Sequence, residues 1–127
     1  MRKAIIVSLA GLATLGITCL TQYNPPSKYT TSEAKVGLAH CLVQQGATMY
    51  GTYWCGGCNK QKEEFGAEAW NTFRQNYMEC SERGPEEVQQ RCEQDNIAAY
   101  PTWKFKNGRE VIGYKTLDKL AELSGCD

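Results

Sequence analysis

The stretch Ala47–Cys58, ATMYGTYWCGGC, decides the fold of this chain. Its first part, Ala47–Trp54, is short and rich in aromatic residues, which is typical of a β-strand. The residues from Cys58 to about Arg74 then show the spacing of apolar side chains expected of a helix. The two cysteines of the Cys55-Gly56-Gly57-Cys58 motif therefore lie where a strand ends and a helix begins.

This position predicts a reactive pair of thiols. Two intervening residues on a first helical turn allow the two sulfurs to approach bonding distance. Cys55 lies beside backbone N–H groups that have no helical partner, and these donors together with the helix dipole favour the thiolate. A thiolate is the attacking species in disulfide exchange, and Cys58 can then resolve the mixed disulfide. A CxxC motif alone is also compatible with a structural disulfide or with half of a zinc site.

The remaining patterns predict an α/β fold in the order α-β-α-β-α-β-β-α. Thr30 and Glu33 resemble a capping box at the start of the first helix. Asn107-Gly108 separates the last two strands, and we expect a two-residue hairpin turn there with positive φ at both positions. The elements after the first strand are predicted at 58–74 (helix), 76–80 (strand), 86–95 (helix), 102–106 and 110–114 (strands), and around 117–123 (helix).

The segment before the domain has the charge layout of an export signal. Met1-Arg2-Lys3 precedes 17 uncharged residues, Ala4–Leu20. We therefore divide the chain into a signal peptide or membrane anchor at 1–22, a linker at 23–31 and one domain at 32–127. We expect an exported protein, periplasmic or otherwise extracytoplasmic. Cleavage, lipid attachment at Cys19 and anchoring through residues 4–20 stay open alternatives.

Composition narrows the function classes. The chain of 127 residues has 14 Lys plus Arg and 14 Asp plus Glu, so no basic excess indicates nucleic acid as a partner. Hydrophobic residues make up 42%, which is typical of a globular domain, and we expect a monomer. Seven cysteines are many for a reduced cytosolic protein, which favours an oxidising compartment.

The other cysteines of the domain are interpreted in that light. Cys80 ends a predicted strand and Cys92 lies in the next helix, so we predict a structural disulfide between them, with a second redox pair as the alternative. Cys41 lies among apolar residues, where a buried inert thiol is common, and pairing with Cys126 stays open. His40 is expected at the surface or in the core, and no metal site is predicted.

The loop before the hairpin is the second candidate part of the site. We expect a cis peptide bond between Tyr100 and Pro101 and expect this loop to face the CxxC motif across the end of the sheet. The backbone of Tyr100 would then pair with a substrate chain. The predicted substrate-binding residues are Trp54, Tyr100, Pro101 and Thr102, whereas Trp70, Phe73 and Trp103 are expected to fill the core.

These features together resemble the thioredoxin superfamily, over residues 33–126. The motifs that carry the resemblance are YWCGGC at 53–58, YPT at 100–102 and NG at 107–108. The segments MYGTYWC at 49–55, QKEEFG at 61–66, EC at 79–80 and YPTW at 100–103 further resemble the thioredoxin-like domain fused to bacterial vitamin K epoxide reductase homologues.

The resemblance implies a three-layer sandwich around a central mixed sheet of about four strands. It also implies that the domain exchanges electrons between secreted thiols and a membrane enzyme that reduces quinone. The four-helix membrane part is not in this sequence, so we expect any such partner to be a separate chain. No cofactor is expected beyond the redox-active Cys55–Cys58 disulfide.

The chain departs from thioredoxins at two positions. Gly-Gly stands between the cysteines in place of Gly-Pro, and Met49 stands where thioredoxins have a buried aspartate. Glu63 or Glu64 is a candidate to assist Cys58, although carboxylates on helices are more often solvated. The direction of electron flow stays open.

The sequence thus predicts an exported thiol–disulfide oxidoreductase that exchanges disulfides with protein thiols. Cys55 is the nucleophile and Cys58 the resolving cysteine. Two alternatives stay open. The first is a zinc-binding module that uses the four cysteines at 55, 58, 80 and 92. The second is a non-catalytic interaction module in which every disulfide is structural.

Overall fold

A computed structural model describes residues 22–127, and these form a mixed α/β fold in the predicted element order. The elements are α1 (Ser32–Gln44), β1 (Thr48–Gly51), α2 (Gly56–Phe73), a 3-10 turn (Arg74–Asn76), β2 (Tyr77–Glu79), α3 (Glu86–Gln94), β3 (Thr102–Lys104), β4 (Glu110–Ile112) and α4 (Leu117–Ser124). The predicted signal or anchor up to residue 21, with Cys19, lies outside the described residues. Within residues 22–127, no helix combines the length and the apolar character that crossing a bilayer requires.

The four strands form one mixed sheet in the order β2-β1-β3-β4. β1 runs parallel to β2 and antiparallel to β3, and β3 pairs with β4 as an antiparallel hairpin. Met49 in β1 is paired with Tyr77 on one side and with Trp103 on the other. Because paired residues point to the same face of a sheet, these three side chains share one face.

That face carries the main core. Met49 and Trp103 are fully buried, and the aromatic rings of Phe65 and Phe73 from α2 pack against Trp103 with centroids 6.4 and 5.2 Å away. Trp70 contacts the same rings from the edge of the cluster, so the predicted core role of the three aromatic residues is confirmed. Helices α1 and α4 complete this layer with Leu38, Leu42, Leu117, Leu120 and Leu123.

The opposite face of the sheet is covered by α3. The Tyr50 hydroxyl donates to Asp95, the residue that caps α3, at 2.7 Å. The ammonium of Lys104 in β3 donates to the backbone carbonyl of the same Asp95 at 2.8 Å. Helices therefore lie on both faces of the sheet, with α1, α2 and α4 on one side and α3 on the other.

Several element boundaries differ from those predicted: the last three strands are shorter, α2 starts at Gly56, and two further differences lie at β1 and α1. β1 ends at Gly51 rather than Trp54 because the chain turns there, and the Cys55 N–H donates to the Thr52 carbonyl at 3.3 Å. α1 is capped by Thr31 rather than Thr30, and the Thr31 hydroxyl accepts from the Ala34 N–H at 3.2 Å. A short polar side chain stands at both positions, so spacing alone did not separate them.

The prediction of a two-residue turn at Asn107-Gly108 was wrong. Gly108 has a φ of 85°, but Asn107 stays outside the left-handed region. The turn is closed by a hydrogen bond from the Gly108 N–H to the Phe105 carbonyl at 3.0 Å. The Phe105 N–H donates to the Arg109 carbonyl at 2.9 Å, so the loop has three residues, 106–108, and only the last one needs a positive φ. The Asn107 amide donates to the Leu123 carbonyl at 3.2 Å.

Two disulfides brace the domain. The predicted Cys80–Cys92 bond is confirmed, and it ties the end of β2 to α3. A second bond joins Cys41 in α1 to Cys126 beyond α4, which is the pairing that the sequence left open. The two cysteines meet because α1 and α4 pack in the same layer.

Candidate active site

The candidate site is built where β1 turns into α2. Cys55 is the N-cap residue of α2, and its sulfur accepts a hydrogen bond from the Cys58 N–H at 3.3 Å. Cys55 retains 9% of its surface exposed, whereas Cys58 is fully buried. Within residues 22–127, these two cysteines are the ones outside a disulfide. The helix N-terminus thus holds one slightly exposed cysteine with a fully buried one a turn behind it.

The two sulfurs differ in their surroundings. Burial, followed by the hydrogen bond with Cys55, raises the pKa of the Cys58 thiol to about 12. A hydrogen bond from the Thr52 backbone and the positive charge of Lys62 oppose that rise without overcoming it. Cys58 therefore keeps its proton at neutral pH, while the Cys55 sulfur accepts the hydrogen bond from the Cys58 N–H. This arrangement separates an attacking sulfur from a resolving one.

Cys58 occupies a gap left by a glycine in β1. A β-carbon placed on Gly51 would lie 2.9 Å from the Cys58 sulfur, 3.0 Å from Cε2 of Tyr77 and 3.2 Å from the Tyr77 hydroxyl oxygen. The parallel register pairs Gly51 with Glu79 and Met49 with Tyr77, so all four lie on the same face. Only the absence of a side chain at Gly51 lets the sulfur and the phenol share this space.

Glu79 organises the polar end of that gap. One carboxylate oxygen accepts from the Tyr77 hydroxyl at 2.8 Å, and the other accepts from the backbone N–H groups of Tyr53 and Ser81, each at 3.2 Å. Burial opposes the charge on Glu79, but hydrogen bonds from Ser81, Tyr77 and Tyr53 outweigh it and lower the pKa of the carboxyl group. Burial and the bond to Glu79 raise the pKa of the Tyr77 phenol.

The loop with the predicted proline lies against the start of α2. The Tyr100–Pro101 peptide bond is cis, as predicted. A β-carbon on Gly57 would lie 3.2 Å from Cδ of Pro101, so this proline packs directly on the CxxC turn. Trp54 is 61% exposed and meets the half-buried ring of Tyr100 edge-on, with centroids 6.1 Å apart. Trp54 and Tyr100 thus form an aromatic rim beside the cysteines.

Two of the four predicted binding residues, Pro101 and Thr102, are buried. Thr102 is 1% exposed, and its hydroxyl donates to the Ala99 carbonyl at 2.7 Å. The structure therefore brings all four predicted substrate-binding residues together, but only Trp54 and Tyr100 offer side-chain surface at the rim. The substrate contacts themselves stay a prediction.

The sequence offered Glu63 and Glu64 as candidates to assist Cys58, with a solvated carboxylate as the commoner case. Glu63 is exposed on α2, and Glu64 lies against the phenol of Tyr114, whose pKa burial and that carboxylate raise. The carboxylate close to Cys58 is Glu79, reached through Tyr77. The spacing of Tyr77 and Glu79, two apart in a short strand, indicates a shared face, but only the register with β1 shows which face.

The loop after β2 closes the site on the side away from Pro101. The Cys80 N–H donates to the Gly51 carbonyl at 2.8 Å, and the neighbouring Cys80–Cys92 disulfide ties this loop to α3. The Arg83 guanidinium lies 3.4 Å from the centroid of the Tyr53 ring, and the Tyr53 hydroxyl donates to Glu82 at 3.0 Å. These contacts form a covering layer over the backbone that binds Glu79.

The pairing of the cysteines bears on the zinc alternative. Cys80 and Cys92 are bonded to each other, so they do not offer thiolates to a metal beside Cys55 and Cys58. Across the described part of the chain, no group of three or more His, Cys, Asp or Glu side chains is arranged to hold a metal ion. The four-cysteine site is therefore not assembled in this structure.

The chain is similar in sequence to a curated protein that is named as a thiol-disulfide oxidoreductase. No family model matches the chain. A curated protein of Arabidopsis thaliana, thiol-disulfide oxidoreductase LTO1, is similar to it. The two are 36% identical over 99 residues, which cover 76% of this chain and 26% of that protein. The mixed sheet with helices on both faces and the Cys55–Cys58 pair at a helix N-terminus are consistent with a thioredoxin-like fold. The chain spans about a quarter of its relative's length.

Proposed function

We propose that this protein is an exported thiol–disulfide oxidoreductase that acts on other proteins. The observation that carries the proposal is the asymmetry of the dithiol: Cys55 caps the N-terminus of a helix and keeps 9% of its surface exposed, whereas Cys58 one turn behind it is fully buried and protonated. Helices on both faces of a mixed sheet support the thioredoxin-like three-layer sandwich in which such dithiols operate.

The proposed reaction has two exchange steps. The Cys55 thiolate attacks a substrate disulfide, one substrate sulfur leaves as a thiolate, and a mixed disulfide forms with the other. Cys58 then attacks the Cys55 sulfur, forms the Cys55–Cys58 disulfide and releases the second substrate thiolate. The substrate gains two electrons and the enzyme loses two. The reverse sequence donates a disulfide to reduced protein thiols.

The proposed substrate is an extended segment of a protein. The rim formed by Trp54 and Tyr100 offers exposed aromatic surface beside Cys55, which suits side chains flanking a substrate cysteine. The Pro101 loop packs on the CxxC turn and lies within reach of the backbone of a bound segment. A non-catalytic disulfide-stapled module remains the alternative.

The proposed location and partner follow from the disulfides and from the resemblance. Cys80–Cys92 and Cys41–Cys126 are bonds of the kind that persist in oxidising compartments, which supports export. The resemblance to the domain of vitamin K epoxide reductase homologues supports a quinone-linked membrane enzyme as the electron partner. Reduced protein mixed with membranes that contain such an enzyme should be reoxidised faster than with membranes that lack it.

The test of the function is reduction of insulin disulfides and oxidation of a reduced, unfolded protein. Cys55→Ser should abolish both activities, whereas the paired replacement Cys41→Ser with Cys126→Ser should retain them in the folded fraction. Retention of activity by Cys55→Ser would remove Cys55 as the nucleophile. Resistance of the Cys55–Cys58 bond to moderate dithiothreitol would favour the non-catalytic module.

A matched pair of variants tests the aromatic rim. Trp54→Ala should lower kcat/KM for insulin more than for a small aromatic disulfide. Tyr23→Ala removes an aromatic ring that is 83% exposed in the segment before α1. This variant should leave kcat/KM unchanged both for insulin and for the small disulfide. Equal effects of the two variants would argue against substrate contact at Trp54. The potential of the Cys55–Cys58 couple against glutathione then decides whether the protein reduces or oxidises its substrates.

A further inference from the structure

We propose that Tyr77 and Glu79 are positioning residues that carry the proton of Cys58 away when Cys58 attacks the mixed disulfide. The proposal rests on the proposed function, because it concerns the second exchange step. Met49 stands where thioredoxins have a buried aspartate, and its side chain cannot accept a proton. The proposal assigns the acceptance of that proton to two residues of β2.

The second step needs a route for a proton. Cys58 has no exposed surface, so water does not reach its thiol directly. A thiol must lose its proton to become the nucleophile. The charged or titratable groups that face Cys58 are Cys55 and Lys62 from α2, and Tyr77 with Glu79 behind it from β2. Cys55 is the electrophile in this step, and a lysine ammonium has no lone pair to accept a proton.

The geometry leaves Tyr77 as the acceptor. The Cys58 sulfur and the Tyr77 hydroxyl oxygen border the same small gap above Gly51, 2.9 and 3.2 Å from the position of a β-carbon there. The Lys62 ammonium lies 4.4 Å from the centroid of the Tyr77 ring, over its face rather than beside the hydroxyl. The phenol is thus the polar group that reaches into the gap from the strand side.

Glu79 completes the route because its orientation is held at both oxygens. The N–H groups of Tyr53 and Ser81 bind one oxygen, which leaves the other directed at the Tyr77 hydroxyl at 2.8 Å. Glu79 is itself half-buried at the end of β2, so a proton delivered to it has access to solvent. Tyr77 and Glu79 lie on one face of β2 because they are two residues apart.

The second exchange step moves two protons and replaces one S–S bond by another. The Cys58 S–H proton passes to the Tyr77 oxygen while the Tyr77 O–H proton passes to Glu79. The Cys58 sulfur forms a bond with the Cys55 sulfur, and the bond between Cys55 and the substrate sulfur breaks. The substrate sulfur leaves with the electron pair as a thiolate, and Glu79 later returns the proton to water.

A small disulfide that releases a coloured thiol separates the two steps. When the reduced full-length protein meets 5,5′-dithiobis(2-nitrobenzoate), attack by Cys55 releases one thionitrobenzoate, and resolution by Cys58 releases a second. The Cys55→Ser/Cys58→Ser double variant supplies the blank for other thiols. Cys58→Ser should stop after the first release, which identifies the second phase.

We expect Tyr77→Phe and Glu79→Gln to slow the second phase about tenfold or more without changing the first, because loss of a positioned proton acceptor costs at least that much. In these variants the second-phase rate should rise about tenfold per pH unit, since only solvent hydroxide then ionises Cys58, whereas the wild-type rate should depend weakly on pH. A merely structural role would not change that pH profile.

Matched controls come from other phenol and carboxylate contacts. Tyr50→Phe removes a phenol that binds Asp95 on the opposite face of the sheet, and Glu82→Gln removes a carboxylate that binds the Tyr53 hydroxyl rather than a group near Cys58. Both should keep the wild-type second phase. An unchanged second phase in Tyr77→Phe and Glu79→Gln would overturn the proton route while leaving the proposed function intact. Loss of the first phase in wild-type protein would instead overturn the proposed function.

Discussion

Replacing Gly51 by alanine tests the packing on which the site depends. The backbone at Gly51 lies in β1 outside the left-handed region, so alanine can adopt its conformation. The new methyl group would lie 2.9 Å from the Cys58 sulfur and 3.0 Å from the Tyr77 ring. Overpacking of this kind costs about 1–3 kcal/mol. The stiffer unfolded chain of alanine returns about 0.4–1 kcal/mol.

The expected net result is a loss of roughly 0.5–2 kcal/mol in the free energy of unfolding. For a domain of this size, that corresponds to a fall in Tm of several degrees. Urea unfolding of the disulfide-intact protein measures the change, with the midpoint and the slope fitted separately.

Gly37→Ala is the matched control. Gly37 lies inside α1, and a β-carbon there would have no neighbouring atom within 4 Å. The same substitution should therefore stabilise the protein by about 0.5–1 kcal/mol, because alanine is the better helix residue. The two variants are thus expected to have opposite signs.

A double-mutant cycle identifies the contact responsible. In a Cys58→Ala background the nearest obstructing atom is gone, so Gly51→Ala should cost less than it does in the wild type, by an amount comparable to other contacting pairs. A stabilising Gly51→Ala, or a cost that is the same in both backgrounds, would refute the claim that Gly51 makes room for the sulfur.

Three further predictions follow from the bonding around the site and the core. Gln61 is fully buried, and its side chain makes two hydrogen bonds with the Lys115 backbone at 2.8 and 2.9 Å. Gln61→Leu should therefore lower the free energy of unfolding in urea by roughly 2–4 kcal/mol. Gln90 is exposed, so Gln90→Leu should change that free energy by no more than about 0.5 kcal/mol. The Cys41–Cys126 bond spans 85 residues, whereas the Cys80–Cys92 bond spans 12. Replacing both cysteines of a pair by alanine should therefore lower the free energy of unfolding by about 1.7 kcal/mol more for the first pair than for the second. Equal losses of stability would contradict the chain-entropy account. Hydrogen bonds hold the pKa values of Glu79 and Asp95 below their ordinary values. The stability that the two carboxylates contribute is therefore complete above their ordinary pKa values and is lost as the pH falls through the lowered pKa values. Glu79→Gln and Asp95→Asn should each reduce this loss of stability, measured by unfolding between about pH 2 and pH 6.

Local patterns accounted for most of the secondary structure and for the chemistry of one sulfur. The CxxC motif followed a short aromatic strand and opened a helix, and the structure makes Cys55 the N-cap of α2. The Cys80–Cys92 pair was also predictable, because the two residues are 12 apart and belong to consecutive elements. These features depend on spacing within a few turns of chain, which a sequence displays directly.

Long-range packing decided the rest. Cys41 and Cys126 are 85 residues apart, and they meet because α1 and α4 share a layer. Asn107 departs from the conformation its dipeptide favours because the register of β3 and β4 makes the connection a three-residue loop. The position of Glu79 near Cys58 through Tyr77 could not be found from the sequence for a similar reason, since no local pattern reveals which strand lies beside β1.

The sequence by itself determined that a cysteine caps a helix after a strand, because capping and dithiol spacing are local properties. Only the tertiary structure decided what surrounds the second cysteine. The parallel pairing of β1 with β2 places Gly51 beside Glu79 and Met49 beside Tyr77, and this register brings a phenol and a carboxylate to the buried thiol. Strand register is set by the packing of the whole core, so it is visible only once that core is assembled.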